Sequence, residues 1–545
     1  MSTPAADRRA SAPLGVAAVI AVSWLALLGA RPLFNPDEGR YAEIPREMLA
    51  SGDWLVPHLN NLVYIEKPPL QYWATAISFE LFGVNVWAAR FYTGLCALLT
   101  VLAIAVLARR LWGVGAAWRA AIMLASTLAM IVIGQQLTLD MSLTLFLTLT
   151  LAAFCVAQDA ATPAARRRQF MWLAWASAAG AFLTKGLVAL VLPALTLSAY
   201  SLLYRRWRPW NRLSLVTGVA LFALLTVPWC YLMQRHVPQF FDFFFIREHF
   251  QRFLTRIEDR YEPVWFFIPV LAAGCLPWIL PAARALGGAW RSVNAQADFE
   301  PRAFLWVWVV VVFVFFSISD SKLIPYILPL FPALALLMAS APADTLRRDL
   351  ARTSTGLIAA GVIFMAAAAI LPQLLHNPAR APYFGQLRLP LLAMGLVAAG
   401  GGWIARGRRD SAAVIGITAY LVFVILVVGA RAVGPLYSGA SLAAQISHTI
   451  TPGTRLYAVR TYDQTLPFYL ARTMTLVDSR GELDFGLGLE PDKGLPSLAA
   501  FATRWMADPE ALAVMEPDTY ALLRAQGLPM VVRASDPNRL IVSRR

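Results

Sequence analysis

The chain has 545 residues, of which 58% are hydrophobic and 14% charged, and its formal net charge is +15. Soluble domains carry about 25% charge, so this composition and a mean hydropathy of +0.58 exclude an ordinary soluble globular protein. The basic excess does not mark a nucleic-acid partner, because the arginines fall in short clusters between apolar runs, the pattern of cytoplasmic membrane faces.

Many apolar runs reach the roughly 20 residues a spanning helix needs. Barrel-type alternation is absent, so the expected fold class is an all-α polytopic membrane protein. Arg8 and Arg9 precede the first apolar run, which is read as a retained helix rather than a removed signal. About thirteen spans are predicted, near residues 13–33, 84–108, 116–134, 138–157, 169–184, 186–204, 213–233, 263–283, 303–319, 323–341, 354–374, 386–405 and 411–431. With that number, every arginine cluster falls on one side: Arg109/Arg110/Arg119, Arg166–Arg168, Arg205–Arg212, Arg284/Arg291/Arg302, Arg347–Arg352 and Arg406–Arg409. The N-terminus is then cytoplasmic and the C-terminus outside. Cys96, Cys155, Cys230 and Cys275 sit in apolar runs without CxxC spacing and read as buried hydrophobes.

The outer connections, 34–83 and 234–262 above all, mix acids, bases and aromatics. The first contains Asn35-Pro36-Asp37-Glu38-Gly39-Arg40-Tyr41, and later Tyr64-Ile65-Glu66-Lys67-Pro68-Pro69. Asp37 is read as a general base or a group that orients an acceptor, against the plainer reading of a helix N-cap. Glu38, Arg40 and Tyr64 are read as substrate contacts beside it. The two prolines make a rigid corner that presents Lys67, a compact charge suited to phosphate; the plain alternative is a surface ion pair of little worth. Residues 38–50 and 239–260 interleave apolar and charged side chains and suit helices lying in the bilayer interface.

Asp140 and Lys185 stand at the rims of predicted spans, where ionisable groups are costly; snorkelling to the headgroups is the plain alternative. Lys322 and Tyr326 occupy a proline-rich stretch, Ser319–Pro332, that suits a bent cavity wall. Glu66 and His249 offer at most a partial site for a divalent metal such as zinc, and no cofactor is certain.

Residues 1–432 are expected to form the membrane domain and 433–545 a soluble α/β domain outside it. In the latter, Leu456–Val459 and Thr475–Val477 read as strands, Phe501–Gln526 as a helix broken near Pro509 and Pro517, and Pro529–Arg533 with Leu540–Ser543 as a closing pair. No catalytic motif stands out there.

Taken together, the Asn35–Glu43, Tyr64–Trp73, Lys185-Gly186 and Ser319–Pro332 runs resemble the GT-C class of membrane glycosyltransferases. They look most like the ArnT-type aminoarabinose transferases and the related protein O-mannosyltransferases. The resemblance implies that Asp37 is the catalytic position, that Lys67 and Arg252 contact a donor phosphate, and that Glu66 and His249 match a place where a metal has been associated with the family. It also implies an undecaprenyl-phosphate-linked aminoarabinose donor, a lipid A acceptor, a monomer in the bacterial inner membrane, and a role in lipopolysaccharide modification and polymyxin resistance. Two other readings stand beside it: a protein O-mannosyltransferase-like enzyme, which would need a true base, and a lipid-linked sugar transporter. The transporter is disfavoured because the polar groups collect at one rim and no internal repeat is visible.

Overall fold

A computed structural model describes residues 4–252, 261–290, 297–378, 380–408, 410–479 and 481–545. Arg256, Arg291 and Arg409, the side chains of Arg8 and Arg9, and the end of the predicted helix 239–260 lie outside the described residues.

Each predicted apolar segment falls on helix. Among the described residues seven helices are long and apolar enough to cross a bilayer. The number is nine if two bent pairs, Val114–Ala125 with Leu128–Gly134 and Phe267–Gly274 with Ile279–Ala289, each count as one span. Among the described residues Gly15–Gly29, Val188–Tyr204 and Ile324–Ala339 are further, shorter apolar helices. Helix ends follow local chemistry. Asn85 accepts the Ala88 N–H at 2.9 Å to start the helix Val86–Trp112, and Gly113 at φ 84° stops it. In the proline-rich stretch, Ile324–Leu330 is a tight 3-10 turn before the α-helix Phe331–Ala339, because each proline removes a backbone donor.

The first outer segment folds as the helix Asp37–Ser51, a short hairpin of His58–Leu59 and Leu62–Val63, and a helix Leu70–Phe82 that hydropathy alone assigned to loop. The expectation of an interfacial helix at 38–50 is corrected: ten of the fifteen residues of Asp37–Ser51 are buried, among them Tyr41, Ile44 and Met48. What covers it is the C-terminal domain. Those three residues share one apolar core with Leu456, Leu466, Met474, Leu476 and Ile541. Contact is so close that a Cβ at position 39 would stand 2.4 Å from the Gln464 carbonyl carbon, so only Gly39 fits.

The C-terminal domain holds a six-stranded sheet in the order Gly494–Leu495, Thr475–Val477, Leu456–Val459, Leu512–Met515, Leu540–Ser543, Val531–Ser535. The first four pair in parallel and the last two antiparallel. The expected helix Phe501–Gln526 is corrected: it is a helix Leu498–Ala507, a central strand Leu512–Met515 and a helix Pro517–Ala525. All four residues of that strand are buried. A short unbroken apolar run reads alike for buried strand and buried helix.

Candidate active site

Glu38 is fully buried and holds the base of the site together. Arg31 reaches it at 2.5 Å and Arg90 at 2.7 Å, and it accepts the backbone N–H groups of Phe34 and Leu137, each at 2.9 Å. Arg90 also donates to the carbonyls of Leu28, Arg31 and Pro32. Burial opposes the Glu38 charge, but the two guanidiniums outweigh it and hold its carboxyl at about 2.

One residue earlier, the Asp37 carboxylate is 37% exposed and lies 3.6 Å from Arg40. Arg40 is held more tightly by Glu482 of the C-terminal domain, at 2.8 Å, and donates to the Tyr64 hydroxyl at 3.2 Å. Gln464 donates to the other Glu482 oxygen at 2.6 Å. Burial pushes the Glu482 carboxyl up, and Arg40 pulls it back. The buried Arg40 Nε and Tyr72 hydroxyl have no hydrogen-bond partner among the described residues.

Beside this cluster opens a cavity of about 330 Å³. Its polar wall carries Glu66, Lys67, Lys185, Glu248, His249 and Arg252, and its apolar wall includes Leu187, Val188, Val191, Phe315 and Phe316. Lys67 and Arg252 each meet Glu248 at 2.6 Å. Burial opposes the Glu248 charge, but these cations bring its carboxyl down to about 2. Lys185 pairs with Asp140, and its ammonium sits 4.3 Å from the centre of the Tyr326 ring, a cation–π distance. The turn at Gly186, φ 82°, lets the Leu187 N–H reach the His249 Nε2 at 3.1 Å.

The structure thus gathers Glu66, Lys67, Lys185, His249, Arg252 and Tyr326 on one cavity. Asp140 stands behind Lys185. Asp37, Arg40 and Tyr64 form the adjoining cluster, and Glu66 joins the two, since it lines the cavity and acts electrostatically on Arg40, Tyr64 and Glu482. Glu38 lies beneath, sealed from the cavity. Lys322 turns away into the backbone, donating to the carbonyls of Glu262 and Ser319.

Glu66 and His249 are the residues of the expected partial metal site. His249 accepts the Leu187 N–H at Nε2, which leaves Nδ1 as the protonated nitrogen that donates to the Phe244 carbonyl at 2.6 Å. In this arrangement the Nε2 lone pair is engaged by Leu187 and Nδ1 carries the proton, and no group of three or more His, Cys, Asp or Glu that could hold a metal ion is found among the described residues. Glu66 and His249 therefore do not fit one.

Three residues escaped the sequence reading as site components. Arg90 stood inside a predicted span, itself a signal of function or structure. Glu248 lay in a stretch rich in charge and phenylalanine. Glu482 follows a parallel strand in a domain without a recognisable motif.

Comparison with known proteins adds to this geometry. Residues 442–544 match the family model described as aminoarabinose transferase C-terminal domain, and residues 14–244 match dolichyl-phosphate-mannose-protein mannosyltransferase. An undecaprenyl phosphate-alpha-4-amino-4-deoxy-L-arabinose arabinosyl transferase of Sodalis glossinidius is 39% identical, the match spanning 61% of this chain and 59% of that protein. Its counterpart in Pseudomonas paraeruginosa is 37% identical over 69% of this chain and 68% of its own length. The crystal structure of ArnT from Cupriavidus metallidurans bound to undecaprenyl phosphate matches with a TM-score of 0.91 at 37% identity, covering 98% of this chain and 97% of that one.

Proposed function

The chain belongs to the family of undecaprenyl phosphate-aminoarabinose arabinosyl transferases, and on that premise we propose that it moves 4-amino-4-deoxy-L-arabinose from undecaprenyl phosphate to a phosphate of lipid A, at the periplasmic face of the bacterial inner membrane. The observation that carries this reading is the cavity whose cations, Lys67, Lys185 and Arg252, stand over an apolar wall. A phosphate on a greasy carrier has that polarity.

In this reading an oxygen of the lipid A phosphate attacks the anomeric carbon of the sugar. The bond from that carbon to the donor phosphate breaks, and its electron pair leaves on the undecaprenyl phosphate. The leaving phosphate gains charge as the bond breaks, so Lys67 and Arg252 stabilise the transition state more than the bound donor. Lys185, steadied by Asp140 and Tyr326, completes the cationic rim. The acceptor phosphate is already anionic near neutral pH and needs little base catalysis. Asp37 therefore orients the acceptor or the sugar amine, and Arg40, held by Glu482, offers its guanidinium beside it. Glu38 supports the loop rather than touching substrate. Residues 433–545 act as a soluble unit on the outer face that closes over the first outer helix.

The test is incubation of the purified protein with undecaprenyl-phosphate aminoarabinose and lipid A. A mass increase on lipid A of one aminoarabinose supports the reading. Sugar transfer to serine or threonine of a protein instead would replace it with the O-mannosyltransferase-like alternative, and lipid movement without transfer would replace it with transport.

A further inference from the structure

A second cavity, of about 630 Å³, lies between the Asn60–Asn61 turn and the amino-terminal edge of the C-terminal sheet. Arg46, Arg455, Arg472, Lys493 and Arg504 line it against a single acid, Asp492. Three of these cations are partly satisfied: Arg46 by Glu43, Lys493 by Glu490, and Arg455, loosely at 3.6 Å, by Asp508. Arg472 and Arg504 have no acidic partner among the described residues, and the Arg472 guanidinium is fixed by the carbonyls of Pro452 and Thr454. A groove with this excess of guanidinium suits a phosphate, which arginine binds through paired N–H donors.

The helix Asp37–Ser51 links the groove to the reaction centre. Arg46 stands nine residues beyond Asp37, about 14 Å along the axis at the rise of an α-helix. The C-terminal domain serves both places, with Glu482 at one and Arg472 and Arg504 at the other. The carrier's phosphate already has Lys67, Lys185 and Arg252 in the first cavity. We propose that the groove binds a phosphate of the acceptor's saccharide headgroup other than the one that receives the sugar. This rests on the functional reading above, and it makes the enzyme select acceptors with two separated phosphates.

The experiment compares bis-phosphorylated with mono-phosphorylated lipid A on the detergent-solubilised full chain, wild type against Arg472→Ala/Arg504→Ala. The exposed Arg504→Glu serves alone should the double variant fail to fold. KM for the bis-phosphorylated acceptor is expected to rise about tenfold or more, the worth of a lost charged hydrogen bond, while kcat and the mono-phosphorylated KM stay unchanged. An unchanged KM, or an equal rise with both acceptors, overturns the proposal. Calorimetric titration with inorganic phosphate provides an independent arm, in which the variant should lose one bound phosphate that the wild type holds. Loss of that phosphate with no change in KM would mark a free-phosphate site and overturn the headgroup assignment. Equal phosphate binding by both proteins also overturns it. If the wild type modifies neither acceptor, the functional reading itself fails, and the calorimetry still decides whether the groove takes phosphate.

Discussion

Glu38 and Glu248 are each a carboxylate between two cations, within 2.5–2.7 Å of both, yet they do different work. Around Glu38 everything is closed: Arg90 is 1% exposed and also spends its N–H groups on three backbone carbonyls. Around Glu248 the cations line a cavity, and among the described residues Lys67 has Glu248 and the Glu66 carbonyl as its hydrogen-bond partners. A sealed triad fixes a loop. An open one keeps its charge available to a ligand, because a new anion can share the cations without first being buried among them. Burial and the count of remaining partners, rather than the residue types, separate structure from chemistry here.

Substitutions sharpen that contrast. The largest effect is expected at Arg90. Arg90→Ala leaves the buried Glu38 with half its compensation and should cost about 3–5 kcal/mol, read as loss of monodisperse protein or a collapse of Tm. Acid should act on the same place. The Glu38 carboxyl is lowered from an ordinary 4.5 to about 2, so it contributes stability above pH 4.5 that disappears as pH falls through about 2, on the order of 3 kcal/mol in all. A Tm indifferent to acid across that window would break the comparison. Asp37→Ala, one residue away but exposed, should leave Tm unchanged while transfer falls about 100-fold through lost positioning of the reactants; near wild-type turnover would remove Asp37 from the centre. Lys67→Ala should lower kcat as well as raise donor KM, cutting kcat/KM for the donor at least about tenfold with little change in Tm, and a destabilised protein with normal kcat/KM for the donor would place Lys67 with the sealed triad instead. The smallest effect is expected from Glu482→Gln, which keeps a hydrogen bond to Arg40. A reduction of about threefold to tenfold in kcat at constant donor KM would fit a positioning role, whereas an altered donor KM would not.

The sequence made much of this legible because hydropathy and arginine spacing are long-range, redundant signals. The helical membrane region follows from them, the strands Leu456–Val459 and Thr475–Val477 follow from short apolar runs between turn residues, and Arg252 entered the site reading only through the family resemblance. Other features depend on contacts distant in sequence. Glu38 looked like a site residue because it adjoins Asp37; only the approach of Arg90, fifty-two positions on, makes it a structural tie. Leu187 and Phe244 engage both nitrogens of His249, which spacing cannot reveal. The strand Leu512–Met515 was read as helix for want of polar alternation, and the burial of Asp37–Ser51 was hidden because its cover lies some four hundred residues downstream.

Gly39 has a consequence for anyone recombining these proteins. With Gln464 pressed against it, the first outer helix and the C-terminal segment form one lock and key split across the chain. A chimera that swaps residues 433–545 between relatives must carry the partner helix with it, or a side chain one methyl too large will hold the two halves apart.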